Sequence, residues 1–314
     1  MEKYLGVDIG SVTTKMVLMD RQGRILWQSY RKTAGQPIRV LQQTLLALRK
    51  DMGEVNVLGV GATGSGRKLV DYIVGADLVK NEITAHAVSA IHTHPDVRTI
   101  IEIGGQDSKL IIIKDGVVVD FSMNTVCAAG TGSFLEHQAG RLGLAIEELG
   151  GHALRSKSPV RIAGRCTVFA ESDMVHKQQM GHNLEDIIAG LSDALVRNYL
   201  NNLARGKDIL EPIVFQGGVA ANAGIKDAFE RELKKDILVP GHFRVMGALG
   251  AAMLATGTRR TRFKGFSLAS QELFTTSFYC SDCPNSCGVI EVSTGSEVIA
   301  RWGDTCGKWG EAVS

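Results

Sequence analysis

The stretch "YLGVDIGSVTTKMVLMDRQGRILWQSY" at residues 4–30 gives the clearest indication of the fold. "YLGVDIG" is typical of a buried strand, "TTKMVLMD" of a second and "RILWQSY" of a third, and the polar "RQG" predicts the turn between the last two. The turn between the first two strands is rich in glycine and hydroxyl side chains, and it follows an acid, Asp8. Because glycine carries no Cβ, such a turn lets backbone N–H groups approach an anion closely.

The same pattern returns at residues 99–124 as "TIIEIGGQDSKLIIIKDGVVVDFSMN". An apolar strand again meets an acid and glycines, and a second strand, "KDG" and a third strand follow. Internal repetition of this kind predicts an α/β protein with two similar lobes.

The two Gly-rich turns predict a nucleotide site. Their N–H groups can bind phosphate, and the acids Asp8, Glu102 and Asp107 can hold a phosphate-bound Mg²⁺. The chain has no GxxxxGK[ST] loop, which excludes a Walker-type site. One Gly–Asp turn alone is common, but two in matching positions favour nucleotide binding. The candidate phosphate-binding residues are Gly10, Ser11, Thr13, Thr14, Lys15, Gly104, Gly105 and Gln106.

A third glycine cluster lies in "PIVFQGGVAANAGIKDAFE" at residues 212–230. A buried strand is expected to run into the glycines, and a helix to start near residues 221–224. A bend at a helix N-terminus suits the phosphates or the purine face of a nucleotide. The small residues of "VMGALGAAMLA", residues 245–255, predict a helix that packs closely against this cluster. The candidate nucleotide-binding residues are Gly217, Gly218, Val219 and Asn222.

Composition excludes several classes of protein. The 314 residues carry a net charge of +2, so no basic surface indicates nucleic acid. The start shows no cationic-then-apolar leader, and no apolar run is long enough to span a bilayer. We therefore expect a cytoplasmic protein that contacts no membrane. Disulfides are rare in that compartment, so the six cysteines are expected to be inert, catalytic or metal-binding.

Two of these cysteines each precede a candidate helix. Cys127 stands in "NTVCAAGTGSFLEHQAGRLG", residues 124–143, and Cys166 stands in "GRCTVFAESDMV". On the residues alone, a buried structural role and a functional role both remain open, because free cysteine is often buried.

The motifs together resemble a known family. "LGVDIGSVTTK", "IEIGGQDSK" and "FQGGVAANAG" are similar to the phosphate and adenosine segments of the actin, sugar-kinase and heat-shock chaperone ATPases. "GATGSGR", "NEITAHA", "NTVCAAGTGSFLE" and "CTVFAESD" resemble the activators (archerase-type ATPases) of 2-hydroxyacyl-CoA dehydratases. That family includes the ATPase subunits of benzoyl-CoA reductase and the reductase of the double-cubane cluster protein. The similarity runs from about residue 4 to residue 256. It departs at Glu102, where family members usually have Asp, a side chain one methylene shorter.

The resemblance implies a homodimer that binds ATP or ADP with Mg²⁺ and couples ATP hydrolysis to low-potential electron transfer. It implies one 4Fe-4S cluster per dimer, held by Cys127 and Cys166 of each subunit, which matches the four thiolates that such a cluster needs. It also implies a ferredoxin or flavodoxin as electron donor. The acceptor is an iron–sulfur dehydratase, a benzoyl-CoA reductase-like protein or a double-cubane cluster protein. Gly130, Thr131 and Gly132 are expected to contact the cofactors, with the amides of Gly130 and Gly132 open to the cluster sulfurs.

The composition changes after residue 257. "TGTRRTRFKGFS" reads as a basic linker, and a hairpin is expected around Thr294 and Gly295. The expected organisation is a bilobal core over 1–257 and a linker with a metal-binding tail over 258–314. Lobe I covers about 1–95 plus a returning C-terminal helix, and lobe II covers about 96–245. Four thiols in so short a segment predict a closed site for Zn²⁺ or a second iron–sulfur cluster, with zinc favoured. These thiols belong to Cys280, Cys283, Cys287 and Cys306.

Two other functions are compatible with the nucleotide motifs. A small-molecule or sugar-type kinase of the same superfamily would need an acid as base for a substrate hydroxyl, and it gives Cys127 and Cys166 no purpose. A nucleotide-dependent scaffold or chaperone would tolerate loss of the cluster.

Overall fold

The computed structural model describes residues 2–124, 128–164, 166–295 and 297–309. The chain forms two compact units. The N-terminal unit comprises Met1–Glu82 and Gly247–Ser314, and the central unit comprises Ile83–Met246.

The described residues form strands and helices, which are numbered in chain order. The strands are β1 (Lys3–Ile9), β2 (Thr13–Asp20), β3 (Ile25–Lys32), β4 (Val57–Thr63), β5 (Leu78–Val79), β6 (Thr99–Ile103), β7 (Ser108–Lys114), β8 (Val117–Asn124), β9 (Ile213–Gln216), β10 (Ile237–Leu238), β11 (Phe274–Tyr279), β12 (Gly288–Thr294) and β13 (Glu297–Trp302). The helices are α1 (Pro37–Met52), α2 (Arg67–Val74), α3 (Glu82–Thr93), α4 (Gly132–Leu142), α5 (Leu149–Leu154), α6 (Thr167–Gln179), α7 (Leu184–Leu203), α8 (Ala223–Leu233) and α9 (Met246–Leu254).

The sheet of the N-terminal unit has the order β3-β2-β1-β4-β5. β1 is antiparallel to β2 and parallel to β4. Helix α1 begins at Pro37, which suits the first helical turn because the missing N–H would have no partner there. Its Leu41, Leu45 and Leu48 recur at helical spacing and join the core with residues of β1 and β2.

Helix α9 lies directly against two glycines of this sheet. A Cβ on Gly6 would stand 1.9 Å from the carbonyl oxygen of Ala248, and one on Gly61 would stand 1.9 Å from that of Ala251. No other residue type fits at Gly6 or Gly61 without moving the helix. The helix packs closely, but the glycines that it contacts are those of β1 and β4; its packing against the third glycine cluster stays a prediction.

The sheet of the central unit has the order β10-β9-β6-β7-β8. β6 is antiparallel to β7 and parallel to β9, so it occupies the place that β1 occupies in the first sheet. The predicted duplication of two three-stranded meanders is therefore confirmed. Behind this sheet α7 is largely buried, and its Tyr199 meets Phe229 of α8 edge to face at 5.3 Å.

The C-terminal segment forms a third sheet, of order β11-β12-β13, and packs on the rest of the N-terminal unit. Val292 and Phe266 are buried in the same cluster as the leucines of α1. Trp302 stacks on Tyr72 at 5.7 Å between ring centroids.

In the expected linker, the backbone N–H of Arg262 donates to Asp77. The domain boundary near residue 258 stays a prediction, and the residues beyond it share a core with the N-terminal unit.

The remaining expectations for secondary structure also hold. Helices begin at Gly132 and at Thr167, close behind the two cysteines of interest, and the hairpin at Thr294 and Gly295 joins β12 to β13. Among the described residues, we find no helix that is both long and apolar enough to cross a bilayer.

Candidate nucleotide and metal sites

The first hairpin places an acid and a lysine opposite each other. Asp8 of β1 pairs in register with Lys15 of β2, and the Lys15 Nζ lies 3.1 Å from Asp8 Oδ2. The Asp8 side chain is almost completely buried, so the lysine supplies the charge balance that a buried carboxylate requires. The Gly10 N–H closes the turn by donating to the Thr13 carbonyl at 2.9 Å.

The hydroxyl residues of this turn differ in accessibility. Ser11 is exposed, while Thr13 and Thr14 are buried. The Thr14 hydroxyl lies 3.0 Å from that of Thr33, and Thr33 donates in turn to the Gly10 carbonyl. Thr14 thus stabilises the turn from inside, and Lys15 faces Asp8.

The second hairpin repeats this arrangement in the central unit. Glu102 of β6 pairs in register with Lys109 of β7, and Lys109 Nζ lies 3.0 Å from Glu102 Oε2 and 2.9 Å from Asp107 Oδ2. The Gly104 N–H donates to the Asp107 carbonyl at 3.0 Å, as Gly10 does to Thr13. Two of the three acids predicted for Mg²⁺, Glu102 and Asp107, are therefore brought together by one buried lysine.

A left-handed glycine lies against each acid. Gly64, after β4, has φ +90°, and a Cβ there would stand 2.6 Å from Asp8 Oδ1. Gly217, after β9, has φ +92°, and a Cβ there would stand 2.8 Å from Glu102 Oε1. Each glycine needs both the conformation and the space that only its residue type allows. One oxygen of each acid therefore faces a lysine and the other a glycine backbone.

The residue before each glycine adds a polar group beside the acid. Thr63 is paired with Asp8 and Gln216 with Glu102 in the parallel registers. Thr63 Oγ1 and Gln216 Oε1 are buried and make no hydrogen bond in the described structure. Gln216 Nε2 lies 2.9 Å from Nδ1 of His86. Buried polar atoms of this kind normally have a partner, which is what a bound polar ligand would provide.

Tyr199 stabilises the second hairpin from below the sheet. Its hydroxyl donates to the Lys109 carbonyl at 2.7 Å. Burial, followed by the charge of Glu102, raises the pKa of Tyr199 well above its usual value. Tyr199 therefore stays a neutral hydrogen-bond donor at any physiological pH.

The third glycine cluster forms a tight turn. The Gly217 N–H donates to the Phe243 carbonyl at 2.9 Å, and a short 3₁₀ turn over Gly218–Ala221 includes Val219. Asn222 caps α8, where its Oδ1 accepts from the Gly224 and Ile225 N–H groups. Its side-chain oxygen therefore satisfies the helix terminus.

The start of α4 is bonded directly to the second Gly-rich turn. The Gly132 and Ser133 N–H groups donate to the Gly104 and Gly105 carbonyls, both at 2.9 Å. The Ser133 hydroxyl donates to Gly105 as well, at 2.6 Å. The expectation that the Gly132 amide is open to cluster sulfurs is wrong, because this amide already has a partner. Gly130 is buried, and Thr131 holds the turn through its hydroxyl bond to the Ala128 carbonyl.

Of the two predicted cluster ligands, Cys127 lies outside the described residues. Cys166 is half-buried and immediately precedes α6, in an extended conformation suited to a helix cap. The next residues, Val168 and Phe169, are both 65% exposed. Cys166 thus stands at a helix N-terminus, close to two exposed apolar side chains.

One acid joins the two helices that follow the cysteines. Glu171 of α6 lies 2.6 Å from Arg141 and 3.3 Å from His137, both on α4. Gln138 of α4 also donates to it at 3.4 Å. Glu171 therefore fixes the start of α6 relative to α4.

The four thiols of the C-terminal segment lie at one end of the third sheet. Cys280 follows β11, Cys287 precedes β12 and Cys306 follows β13, with Cys283 in the connection between the first two. The described residues contain no cluster of three or more His, Cys, Asp or Glu side chains arranged as metal ligands.

Sequence reasoning missed several residues of these sites: Thr63, Lys109, Glu171, Tyr199 and Gln216. Lys109 could have been predicted from the sequence, because the acid and the lysine are seven residues apart in both hairpins. The others come from separate segments that only the fold brings together.

Comparisons with known proteins agree with this geometry. The model of the BadF/BadG/BcrA/BcrD ATPase family matches residues 5–255. The (R)-2-hydroxyglutaryl-CoA dehydratase activating ATPase of Acidaminococcus fermentans is 35% identical over 255 residues, which are 80% of this chain and 96% of that protein. The activator of the 2-hydroxyisocaproyl-CoA dehydratase from Clostridium difficile, solved with bound ADPNP, superposes with a TM-score of 0.74 at 34% identity and covers 81% of this chain and 94% of its own.

A sugar kinase shares the fold. A ROK family glucokinase from Streptomyces griseus superposes with a TM-score of 0.52 at 16% identity, covering 81% of this chain and 99% of its own. The molecule thus has the actin and sugar-kinase type of ATPase fold, with a small third sheet added.

Proposed function

The chain belongs to the BadF/BadG/BcrA/BcrD ATPase family, and on that premise we propose that it is an ATP-dependent activator that delivers single electrons to an iron–sulfur partner. The observation that carries the proposal is the direct bonding of α4 to the Gly104–Gly105 turn. A turn suited to phosphate is thereby joined to the helix that follows a candidate cluster ligand.

In this proposal each unit supplies its own nucleotide-binding groups: the N-terminal unit its Gly-rich hairpin, and the central unit its Gly-rich hairpin and the turn after β9. The buried acids Asp8 and Glu102, each facing a lysine on one side and a glycine on the other, fit the oxygen ligands that Mg²⁺ prefers. When bound, Mg²⁺ would neutralise charge on the phosphates. The chain's own contribution is to hold both carboxylates rigidly and to supply N–H groups from the turns.

The extra methylene of Glu102 is accommodated in this arrangement. The side chain reaches Lys109 at 3.0 Å and lies beside Gly217. Asp107, on the same lysine, is more accessible and is proposed to contact Mg²⁺-bound water.

Cys127 and Cys166 are the proposed ligands of one 4Fe-4S cluster shared by two subunits. A cluster would supply one-electron chemistry when bound, and it requires four thiolates, two from each chain. The exposed Val168 and Phe169 beside Cys166 support a homodimer, because a second copy would bury them.

Nucleotide state is transmitted, we propose, along the Gly104–Gly105 turn to α4. A change at the turn displaces the Gly132 and Ser133 N–H groups, and Glu171 carries the motion of α4 to α6. Both helices that follow the proposed ligands then move together. The donor is proposed to be a ferredoxin or flavodoxin, and the acceptor a 2-hydroxyacyl-CoA dehydratase or a related reductase.

The proposal is tested on protein purified without oxygen. We expect a dimer with about four irons, and ATPase activity that needs Mg²⁺. Cys166→Ser should lose the iron and the brown colour while still binding ADP. As a matched control, Ser172→Cys in α6 leaves both proposed ligands in place and should keep the iron. A Cys166→Ser protein that retains about four irons per dimer contradicts the ligand assignment.

A further inference from the structure

Three chain segments meet at the cysteine-bearing end of the third sheet. The Cys280 N–H donates to the Cys287 carbonyl at 2.9 Å, so the end of β11 and the start of β12 stay paired. After β13 the chain crosses this end closely, because a Cβ on Gly303 would stand 2.3 Å from the Gly288 carbonyl oxygen. Antiparallel neighbours of this kind have Cα atoms about 5 Å apart. The topology thus brings together the chain segments that carry the cysteines.

The connection between the first two segments is a tight reversal. The Ser286 N–H donates to the Cys283 carbonyl at 3.2 Å, and Ser286 has φ +42°. This turn returns the chain from Cys283 to Cys287 beside Cys280. The segment that carries the fourth cysteine also reaches this place, since Thr305, the neighbour of Cys306, places its hydroxyl 3.4 Å from the Cys287 sulfur.

Two of these thiols have weak polar partners that are close in sequence. Cys280 lies 3.5 Å from Asp282, and Cys306 lies 3.6 Å from Asp304, each two residues away. A thiol is a poor hydrogen-bond donor, so such contacts do not hold a loop in place. They leave all four sulfurs able to take other ligands by side-chain rotation.

At this end of the sheet Lys308 pairs with Asp282 and Trp309 meets Phe278 edge to face, but the loop between β11 and β12 is itself exposed. All six residues of 281–286 are exposed, whereas Val289, Val292 and Ala300 further along the sheet are buried. Ordering an exposed loop costs conformational entropy that buried apolar area does not offset here. Small segments without a core of their own are commonly stabilised by a metal ion that is bound by nearby thiolates.

We propose that this end of the third sheet binds one Zn²⁺ through four thiolates. A single ion suits the short distance between paired segments, because zinc–sulfur bonds are about 2.3 Å long and tetrahedral. The ion joins β11, β12 and the segment after β13, and it holds the exposed loop against the sheet. These residues lie beyond the 5–255 match to the ATPase family, so the site is independent of the activator function. The ligands are Cys280, Cys283, Cys287 and Cys306.

The experiment measures zinc and iron in the full-length protein purified without oxygen. We expect about one zinc per chain in the wild type. Cys283→Ser, chosen because Cys283 is exposed, should lose at least about four-fifths of the zinc and keep its iron. Ser281→Ala, in the same loop, should keep both, and Cys166→Ser should keep the zinc and lose the iron.

A second measurement does not depend on a variant that folds. Mercurial titration of the wild-type thiols, followed with a zinc-sensitive dye, should release about one zinc per chain. Absence of zinc, a Cys280–Cys287 disulfide in anaerobic protein, or loss of iron from Cys283→Ser each overturns the proposal. The last result would mean that the tail carries a second cluster. Because iron and zinc are counted separately, failure of the tail site is distinguishable from failure of the dimer cluster.

Discussion

Lys109 Nζ lies 3.0 Å from Glu102 Oε2, directly across β6 and β7, and Lys15 and Asp8 stand 3.1 Å apart at the matching position of β1 and β2. Both acids are followed two residues later by a glycine that closes the turn. The duplication therefore extends from strand order to the charged pair at the base of each turn. A buried charged pair that recurs at the matching position supports the proposal that each hairpin contributes to binding phosphate and its metal ion.

Loss of the buried lysine should destabilise the central unit. Lys109→Met leaves Glu102 and Asp107 without their shared cation, at a site where Lys109 is only 1% exposed. We expect a loss of about 3–5 kcal/mol in the free energy of unfolding, measured by urea denaturation.

Lys226→Met is the matched control, because Lys226 forms a half-exposed pair with Glu230 in the same unit. It should cost less than about 1 kcal/mol. Equal losses in the two variants would mean that the buried pair contributes nothing special to the hairpin.

Asp8 is expected to act in hydrolysis and not in cluster binding. Asp8→Asn weakens the hold on Mg²⁺ and should lower the ATPase turnover at least about 100-fold, while iron per dimer stays unchanged. Glu54→Gln, an exposed acid of the N-terminal unit paired with Arg49, should leave turnover unchanged. Turnover of Asp8→Asn within a few-fold of the wild type would remove Asp8 from the metal site.

Gly217 is expected to be required for its contact with Glu102 and not only for its backbone angle. Gly217→Ala brings a Cβ within 2.8 Å of Glu102 Oε1 and 2.4 Å of the Ile103 carbonyl oxygen. Gly116→Ala is the control, since Gly116 has φ +74° with nothing within 4 Å of an added Cβ.

Both variants carry the left-handed strain of about 1–2 kcal/mol. Gly217→Ala should lose more stability than this and nearly all ATPase activity, whereas Gly116→Ala should keep its activity. If thermal unfolding and turnover respond alike in the two variants, the close contact has no functional role.

Ser133 is expected to couple the nucleotide to the cluster. Ser133→Ala removes the 2.6 Å hydroxyl bond to Gly105 but leaves the backbone bonds of α4. We expect the electron paramagnetic resonance spectrum of the reduced cluster to change less between ADP and ATP than in the wild type. Ser192→Ala, whose hydroxyl bonds within α7, should respond as the wild type does. An unchanged nucleotide response in Ser133→Ala would argue against coupling through this turn.

The sequence predicted the hairpins and the duplication because strand alternation and Gly-rich turns are local signals. It did not predict how the polar groups of those turns are used. It did not predict that Lys15 pairs with Asp8 or that Asn222 caps α8, and their contacts with a nucleotide stay predictions. Both outcomes depend on backbone geometry that composition does not encode.

The C-terminal segment shows the same limit. "TGTRRTRFKGFS" has the composition of a linker, yet its Arg262 donates to Asp77 and its Phe266 is buried in the core. The partners of these residues lie nearly two hundred positions earlier in the chain. No local pattern reports a contact over such a separation.

Activation of a partner tests most directly whether this protein is an ATP-dependent activator. The reduced protein, purified without oxygen, would be mixed with a 2-hydroxyacyl-CoA dehydratase that lacks its own activator, and dehydration would be followed with and without ATP. We predict dehydration that requires ATP, persists after ATP is removed, and is absent with Cys166→Ser. Dehydration without ATP, or ATP consumption that yields a phosphorylated small molecule and is unaffected by Cys166→Ser, would contradict the account and favour a kinase.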